Sequence, residues 1–226
     1  MRLTRLVAGL ALLFFASAQY WGLRIAPPDK TMGDVYRILF VHVPAAWNAL
    51  FFLVLSFFSC LLYLFRKNLL WDRLAESSAE LGTVLTGITL ALGSLWARPT
   101  WGVWWTWDPR LTTTALLLIL YLGYLILRRL VEDPIRRARV AASLGILIFL
   151  NVPVVYFSVK WWRTLHQVQS SPETMAPEMV IPLRLNALAL LGLSLLFLAW
   201  RMRIAARKTR LEEREALPPK STGVRA

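Results

Sequence analysis

Long apolar segments alternate with short polar connections along most of the chain. Six of the segments are long enough, or nearly so, to cross about 30 Å of hydrocarbon as helices. We place them at Leu3 to Trp21, Val43 to Phe65, Leu81 to Trp96, Thr112 to Leu127, Val140 to Ser158 and Ile181 to Trp200. The third and fourth are short and should extend into flanking residues. The pattern predicts an all-α polytopic membrane protein with six transmembrane helices.

The first segment also fits a cleaved signal peptide. Arg2 and Arg5 would form its basic region, and Ala16 to Ala18 would form a small-residue cleavage site. Against cleavage, apolar residues continue through Leu23, as in a retained span. The sequence favours retention, and the order of the later spans is the same in both cases.

Composition agrees with a membrane protein. Hydrophobic residues make up 57% of the 226 residues, and the mean hydropathy is +0.52. A soluble domain of this composition would expose aggregation-prone patches. The net charge of +13 would suggest nucleic acid as a partner of a soluble protein. Here the basic residues cluster at the ends of apolar segments, so orientation in a bilayer explains them and no nucleic acid is expected.

The distribution of lysine and arginine predicts the orientation. Most of them lie at the N-terminus, in the second and fourth connections and after Trp200. Both termini are therefore expected in the cytoplasm, and the first, third and fifth connections should face the periplasm. We divide the chain into a six-span membrane domain, residues 1–200, and a basic cytoplasmic tail, residues 201–226, that should be partly disordered.

The third connection contains an unusual stretch at residues 98–112. Its four tryptophans are Trp101, Trp104, Trp105 and Trp107, and Asp108-Pro109-Arg110 follows directly. If the stretch is helical, three of the indoles and the Asp108 carboxylate share one face. Tryptophan is enriched at membrane interfaces, so a simple interface belt is one interpretation. The other is a platform that binds a flat ligand. The stretch alone does not decide between them.

The chain has two histidines, and both lie in outward connections. His42 begins the second span, where Pro44 suits the first turn of a helix, and His166 follows the fifth span. Each alone would more often be an interface or loop histidine with no special role. Six helices could, however, bring both to one end of the bundle beside the tryptophans.

A flat, apolar, anionic ligand with a central metal would use all these residue types. In haem, two neutral imidazoles can take both axial positions of the iron, and indoles can cover the macrocycle. Arg37, Arg98 and Arg110 are the outward arginines near these motifs, and arginine pairs well with carboxylates such as the propionates. Alternatively, these arginines set topology or pair with Asp34 and Asp108.

Three segments resemble those of a known family. Residues 101–112 resemble the tryptophan-rich "WWD" signature of haem-handling proteins. Residues 42–47 and 161–167 are similar to segments of the smallest member, cytochrome c maturation protein C of the multi-component (System I) pathway, also called haem exporter protein C. The resemblance covers the whole chain, including its length and its six spans.

This resemblance implies a function and a cofactor. Such proteins bind haem b at the periplasmic face of the bacterial inner membrane and present it to a membrane-anchored periplasmic haem chaperone during cytochrome c biogenesis. A small single-span protein and the subunits of an ABC transporter are the other implied partners. The implied role is that of a positioning template, so we do not expect an enzyme.

The resemblance also implies the site residues. His42 and His166 would be the axial ligands of the haem iron. The platform that holds haem would consist of Trp101, Trp104, Trp105, Trp107, Asp108 and Arg110. Arg37 is a weaker candidate for contact with a propionate or with the chaperone.

Three alternatives remain. An electron-transfer cytochrome would carry histidines near the middle of the membrane, often in two pairs. A secondary transporter would show internal repeats and broken helices at the midplane. The polar or helix-breaking candidates in the spans are Asn151, Pro153, Pro182, Arg184 and Asn186, and all lie toward the outward ends. A larger haem lyase of the same superfamily would be longer and carry more histidines.

Overall fold

The computed structural model describes residues 2–166 and 175–215. Within these ranges the chain is helical, and an isolated bridge between Asp29 and Gly33 is the one β-type pairing. The helices are α1 (Arg2–Tyr20), α2 (Leu39–Arg66), α3 (Leu69–Trp101), α4 (Pro109–Leu130), α5 (Pro134–Phe149), α6 (Asn151–Trp161) and α7 (Pro177–Glu215). A π-helical turn, Trp21–Ile25, continues α1, and a 3₁₀ helix, Asp34–Ile38, leads into α2.

The prediction of six transmembrane helices is confirmed. Six helical segments of the described chain are long and apolar enough to cross a membrane: Thr4–Ile25, Asp34–Arg66, Leu69–Trp101, Pro109–Leu130, Pro134–Trp161 and Pro177–Leu211. The protein is therefore an all-α polytopic membrane protein. The helix α7 continues through the first part of the predicted tail, and residues 216–226 lie outside the described residues.

The third span begins well before the predicted Leu81. Asn68 caps α3 by accepting a hydrogen bond from the Leu70 N–H at 2.8 Å. The first turns carry Asp72, Glu76 and Glu80, which lower the hydropathy of this part of the helix. These carboxylates pair with arginines of other helices, so a stretch that looks polar in sequence joins the bundle through ion pairs that are buried or half-buried.

The fifth span is broken between α5 and α6. The Leu150 N–H donates to the Leu147 carbonyl at 3.2 Å, which tightens the end of α5. Pro153 lacks the N–H that would continue the regular helical pattern across the break. The Asn151 side chain donates to the Thr113 carbonyl of α4 at 2.9 Å and so fixes the direction of α6.

The α2–α3 pair forms the most closely packed part of the bundle. Phe52 and Leu53 of α2 are fully buried. Gly82 of α3 lies against Leu53, and a methyl group at Gly82 would overlap that side chain. The Ser56 hydroxyl also donates to the Ala75 carbonyl across the helix pair at 2.9 Å. This packing fixes the start of α2 beside the end of α3, and these two helix ends carry His42 and Trp101.

Candidate functional site

A cavity of about 430 Å³ opens at the end of the bundle where α2 begins and α3 ends, which we call the tryptophan end. Helices α2, α3, α4 and α6 form its walls, and most of the lining side chains are apolar. Small-molecule sites in proteins are of this size and character. His42, His166, Trp101 and Arg110 all line it. The structure therefore brings together four of the predicted site residues, including both histidines.

His42 lies in the first turns of α2 and is 8% exposed. Its ring meets the Trp96 ring edge-on, with the centroids 5.8 Å apart. The ring also lies against α3 at Gly93, where a Cβ atom would be 3.1 Å from the His42 Cε1. A tryptophan and a glycine of the neighbouring helix thus fix the orientation of this imidazole.

One nitrogen of the His42 ring is unsatisfied. Nδ1 is buried and makes no hydrogen bond of normal geometry with any described residue. Leaving such a group without a partner costs about 1–3 kcal/mol, so an orphaned buried nitrogen in a native structure calls for a specific explanation. His166 and Arg110 lie within electrostatic reach of this ring. The Thr89 backbone also interacts with the ring, so the imidazole is held in place while its Nδ1 has no partner of normal geometry.

His166 lies on the segment that follows α6, and hydrogen bonds hold this segment to the start of α4. The His166 N–H donates to the Thr164 hydroxyl oxygen at 3.0 Å. That hydroxyl donates to Asp108 Oδ2 at 2.6 Å, and the Leu165 N–H donates to the same oxygen at 2.8 Å. Residues 167–174, which include the last residue of the third motif, lie outside the described residues.

Asp108 is 7% exposed, and its carboxylate connects two parts of the site. While Oδ2 holds the His166 segment, Oδ1 accepts the Arg110 N–H at 2.9 Å and caps α4. Asp108 is not among the residues that line the cavity. The structure thus places this carboxylate behind His166, where it positions the segment that carries the histidine.

The tryptophan stretch is not one helix, so the shared helical face of three indoles and Asp108 is wrong. The helix α3 ends at Trp101, because Gly102 adopts a left-handed conformation with φ of 78°. The Gly102 N–H donates to the Arg98 carbonyl at 3.1 Å, and α4 begins only at Pro109. Gly102 and the Asp108-Pro109 pair are a typical helix stop and helix start, which the spacing argument overlooked.

The four tryptophans consequently occupy different environments. Trp101 lines the cavity. Trp104 is 55% exposed and Trp107 is 81% exposed, so both present their indoles on the outer surface. Trp105 is half-buried and meets the Trp107 ring edge-on, with the centroids 5.9 Å apart. The guanidinium of Arg98 lies 6.0 Å from the centre of the Trp104 ring.

The three outward arginines also separate. Arg110 lines the cavity and donates to the Tyr156 carbonyl at 3.4 Å. Arg37 donates to Asp34 Oδ1 at 2.7 Å and is not a lining residue. Arg98 donates to the Gly102 carbonyl and is not a lining residue either. The pairing alternative thus fits Arg37, and Arg110 is the arginine whose position suits contact with a ligand in the cavity.

Comparison with known proteins assigns the chain to a family. The family model described as Heme exporter protein C matches residues 1–217. The chain belongs to this family. Heme exporter protein C of Bradyrhizobium diazoefficiens is 39% identical over 192 residues, which cover 82% of this chain and 73% of the relative.

Two further members extend the comparison. Heme exporter protein C of Escherichia coli K12 is 37% identical over 190 residues, covering 81% of this chain and 75% of the relative. A mitochondrial protein of Marchantia polymorpha, named for cytochrome c biosynthesis, is 37% identical over 170 residues, covering 75% of this chain and 72% of the relative. The family resemblance drawn from the three motifs is therefore confirmed.

Sequence reasoning missed several residues of this family member's cavity. Trp96 and Gly93 orient His42, and Tyr156 contributes both a wall and the carbonyl that Arg110 contacts. The small residues Gly93 and Ala97, one helical turn apart, were the available signal that α3 leaves space along one face. No cluster of three or more histidine, cysteine, aspartate or glutamate side chains in the described ranges could hold a bare metal ion.

Proposed function

We propose that the protein binds haem b in the cavity at the tryptophan end and presents it to a membrane-anchored periplasmic haem chaperone during cytochrome c biogenesis. One observation carries the proposal: the only two histidines of the chain line the same cavity. The names of the relatives, Heme exporter protein C and a cytochrome c biosynthesis protein, support haem as the ligand and cytochrome c as the destination.

The residues present fit a haem. Haem iron can take two imidazoles as ligands, and both His42 and His166 line the cavity. The apolar walls suit a macrocycle, and Trp101 adds a flat aromatic side chain to them. Arg110 is the cation at the cavity that can meet a propionate.

The two histidines are held in different ways, and this difference suits a site that must also release its ligand. His42 belongs to a long helix and packs against Trp96 and Gly93 of another. His166 belongs to a connecting segment that depends on hydrogen bonds to Asp108. We expect His42 to remain in place and His166 to be the ligand that exchanges during transfer.

Exposed aromatic side chains at the tryptophan end support the presentation step. Trp104 and Trp107 on one connection, with Trp161 and Trp162 at the end of α6, expose large indole surfaces. Tryptophan is frequent among the residues that dominate binding at protein interfaces. We assign Trp104, Trp105 and Trp107 to this outer surface and Trp101 to the cavity.

The proposed location is the bacterial inner membrane with both termini in the cytoplasm. The basic residues at the ends opposite His42 support this orientation. The chaperone, a small single-span protein and an ABC transporter are the proposed partners.

In this proposal the protein positions haem and supplies no acid or base, so it is not an enzyme. An electron-transfer cytochrome would often need two pairs of histidine ligands. The chain has two histidines, and both line the same cavity, so no second pair is present for a transmembrane electron path.

Absorption spectra of the purified protein, oxidised and reduced, test the proposal. The wild type is expected to carry a six-coordinate low-spin haem. His42→Ala and His166→Ala should each lose haem or convert it to the high-spin form. Added imidazole should restore the low-spin spectrum where haem is retained, which separates a lost ligand from a misfolded protein. No Soret band in haem-replete wild type, or unchanged spectra in both variants, would refute the assignment.

Transfer to the chaperone needs a separate measurement. Haem that co-purifies with the chaperone should fall in both histidine variants relative to the wild type. A chaperone that is loaded normally while both variants lack bound haem would show that this cavity does not supply it.

A further inference from the structure

A second cavity, of about 220 Å³, lies at the opposite end of the bundle, between α3, α4, α5 and α7. We call it the basic cavity. Its volume is roughly seven times the ~30 Å³ share of one water molecule, which leaves room for a phosphate group. Six basic side chains line it: Arg73, Arg128, Arg129, Arg137, Arg201 and Lys208. The three lining carboxylates are those of Asp72, Glu76 and Glu80.

Two of these arginines hold all three carboxylates. Arg128 donates to both oxygens of Asp72, at 2.7 and 2.9 Å, and to Glu76 at 3.1 Å. Arg201 donates to both oxygens of Glu80. These contacts are structural, because they join α3 to α4 and α7. The carboxylates that line the cavity are thereby already engaged.

Arg73 and Arg129 add positive charge to the basic cavity. The three lining carboxylates do not pair with either of them, because Arg128 and Arg201 already hold all three. Neither Arg73 nor Arg129 forms an ion pair with a described residue, and Arg73 Nε is buried without a hydrogen-bond partner. A cationic cavity with an unsatisfied buried donor is suited to an anion that accepts several hydrogen bonds, and phosphate oxygens are such acceptors.

The surroundings favour a phosphate attached to a lipid. The basic cavity lies between membrane-spanning helices near the point where α4 ends at Leu130. Leu130 is 76% exposed directly beside Arg129, and Ile204 of α7 lines the cavity. An acyl chain could pack along these aliphatic side chains while the headgroup occupies the cavity. Basic pockets between transmembrane helices on the cytoplasmic side are known to hold anionic headgroups.

We propose that the basic cavity binds the phosphodiester headgroup of an anionic phospholipid, with Arg73 of α3 and Arg129 of α4 as its main contacts. The lipid would bridge the ends of two helices that the Arg128 and Arg201 ion pairs already join. This proposal is independent of the haem assignment, since it concerns the opposite end of the bundle.

The test measures lipid affinity of the purified full-length protein by native mass spectrometry, with phosphatidylglycerol, phosphatidylcholine and inorganic phosphate as separate probes. The variant is Arg73→Gln/Arg129→Gln, which leaves the structural arginines intact. The charge-matched control is Arg66→Gln/Lys67→Gln, because both residues are exposed at the same end and neither lines the basic cavity. Thermal unfolding of all three proteins checks that they fold.

The wild type should bind phosphatidylglycerol more tightly than phosphatidylcholine. The cavity variant should bind phosphatidylglycerol about 30-fold more weakly, as expected for two basic side chains near an anionic headgroup, while the control retains wild-type affinity. Equal loss in cavity variant and control would show general surface attraction and overturn the proposal. Equal binding of the two lipids would also overturn it. Inorganic phosphate that displaces phosphatidylglycerol at similar concentration would identify a phosphate-ion site, and the lipid assignment would be wrong.

Discussion

Asp108→Asn separates the two roles that the Asp108 carboxylate has in the structure. Asparagine is as good a helix cap as aspartate, so the bond to the Arg110 N–H should survive. At Oδ2 the carboxylate accepts hydrogen bonds from the Thr164 hydroxyl and the Leu165 N–H. In asparagine an amide NH₂ replaces this acceptor and faces the Leu165 donor. The variant should therefore keep α4 and release the segment that carries His166.

The expected magnitude follows from these two bonds. Hydrogen bonds to a charged acceptor contribute about 1.5–3 kcal/mol each. Water can replace part of the loss because Thr164 is half-buried, so we expect a net cost of about 2 kcal/mol. This corresponds to a roughly 30-fold smaller population of the segment in its ligating position. Haem bound to the variant should then be largely five-coordinate and high-spin, with His42 as its remaining ligand.

Absorption and electron paramagnetic resonance spectra of Asp108→Asn measure this change, and added imidazole should restore the low-spin form. Asp34→Asn is the matched control, since Asp34 is an exposed carboxylate in the connection that leads to α2 and its arginine partner does not line the cavity. The double variant with His166→Ala should be no worse than His166→Ala alone, because both changes act on one ligand. A six-coordinate Asp108→Asn with wild-type haem affinity would refute the positioning role.

Substitutions at three further positions test the packing around His42, the exposed Trp107 and the ion pairs of Arg128. In Gly93→Ala the new methyl should displace His42 and weaken haem retention, whereas Gly87→Ala, which meets no atom within 4 Å, should not; haem content per protein measures both. Trp107→Ala should leave bound haem unchanged and reduce the haem transferred to the chaperone, because this indole is exposed and does not line the cavity; unchanged transfer would contradict its assignment. Arg128→Gln should destabilise the protein by about 3–5 kcal/mol, because it leaves two carboxylates without their cation; thermal unfolding in detergent measures this, and an unchanged midpoint would contradict it.

The number of spans followed from hydropathy, because lipid requires long apolar helices whatever their packing. The start of α3 could not be predicted from hydropathy. Asp72, Glu76 and Glu80 lie in its first turns, and they pair with arginines more than fifty residues away in sequence. Hydropathy counts such charges as exposed, whereas the fold buries or half-buries them as ion pairs. A hydropathy scale that scores each residue alone therefore could not identify the first part of the third span.

Four of the residues predicted for the site, His42, His166, Trp101 and Arg110, line one cavity in the structure, and the other five do not. The histidines and tryptophans stood out by residue type and position, whereas their arrangement in space did not. The hydrogen bonds between Asp108 and the segment before His166 could not be predicted, because the whole of α4, α5 and α6 lies between the two in sequence. The local end of α3 at Gly102 was readable from the sequence, since glycine and Asp-Pro are strong helix boundaries.

Trp107, which has the most exposed indole of the tryptophan end, is adjacent in sequence to Asp108, whose carboxylate holds the segment that carries His166. The Trp107 side chain is exposed, and the Asp108 carboxylate accepts hydrogen bonds from the Thr164 hydroxyl and the Leu165 N–H. A partner that binds this indole would therefore also act, through Asp108, on the segment that carries the proposed ligand His166. We expect that docking of the chaperone on Trp107 and loosening of the segment that carries His166 occur together. Under the proposed function, this coupling would retain haem in the cavity until the chaperone has bound.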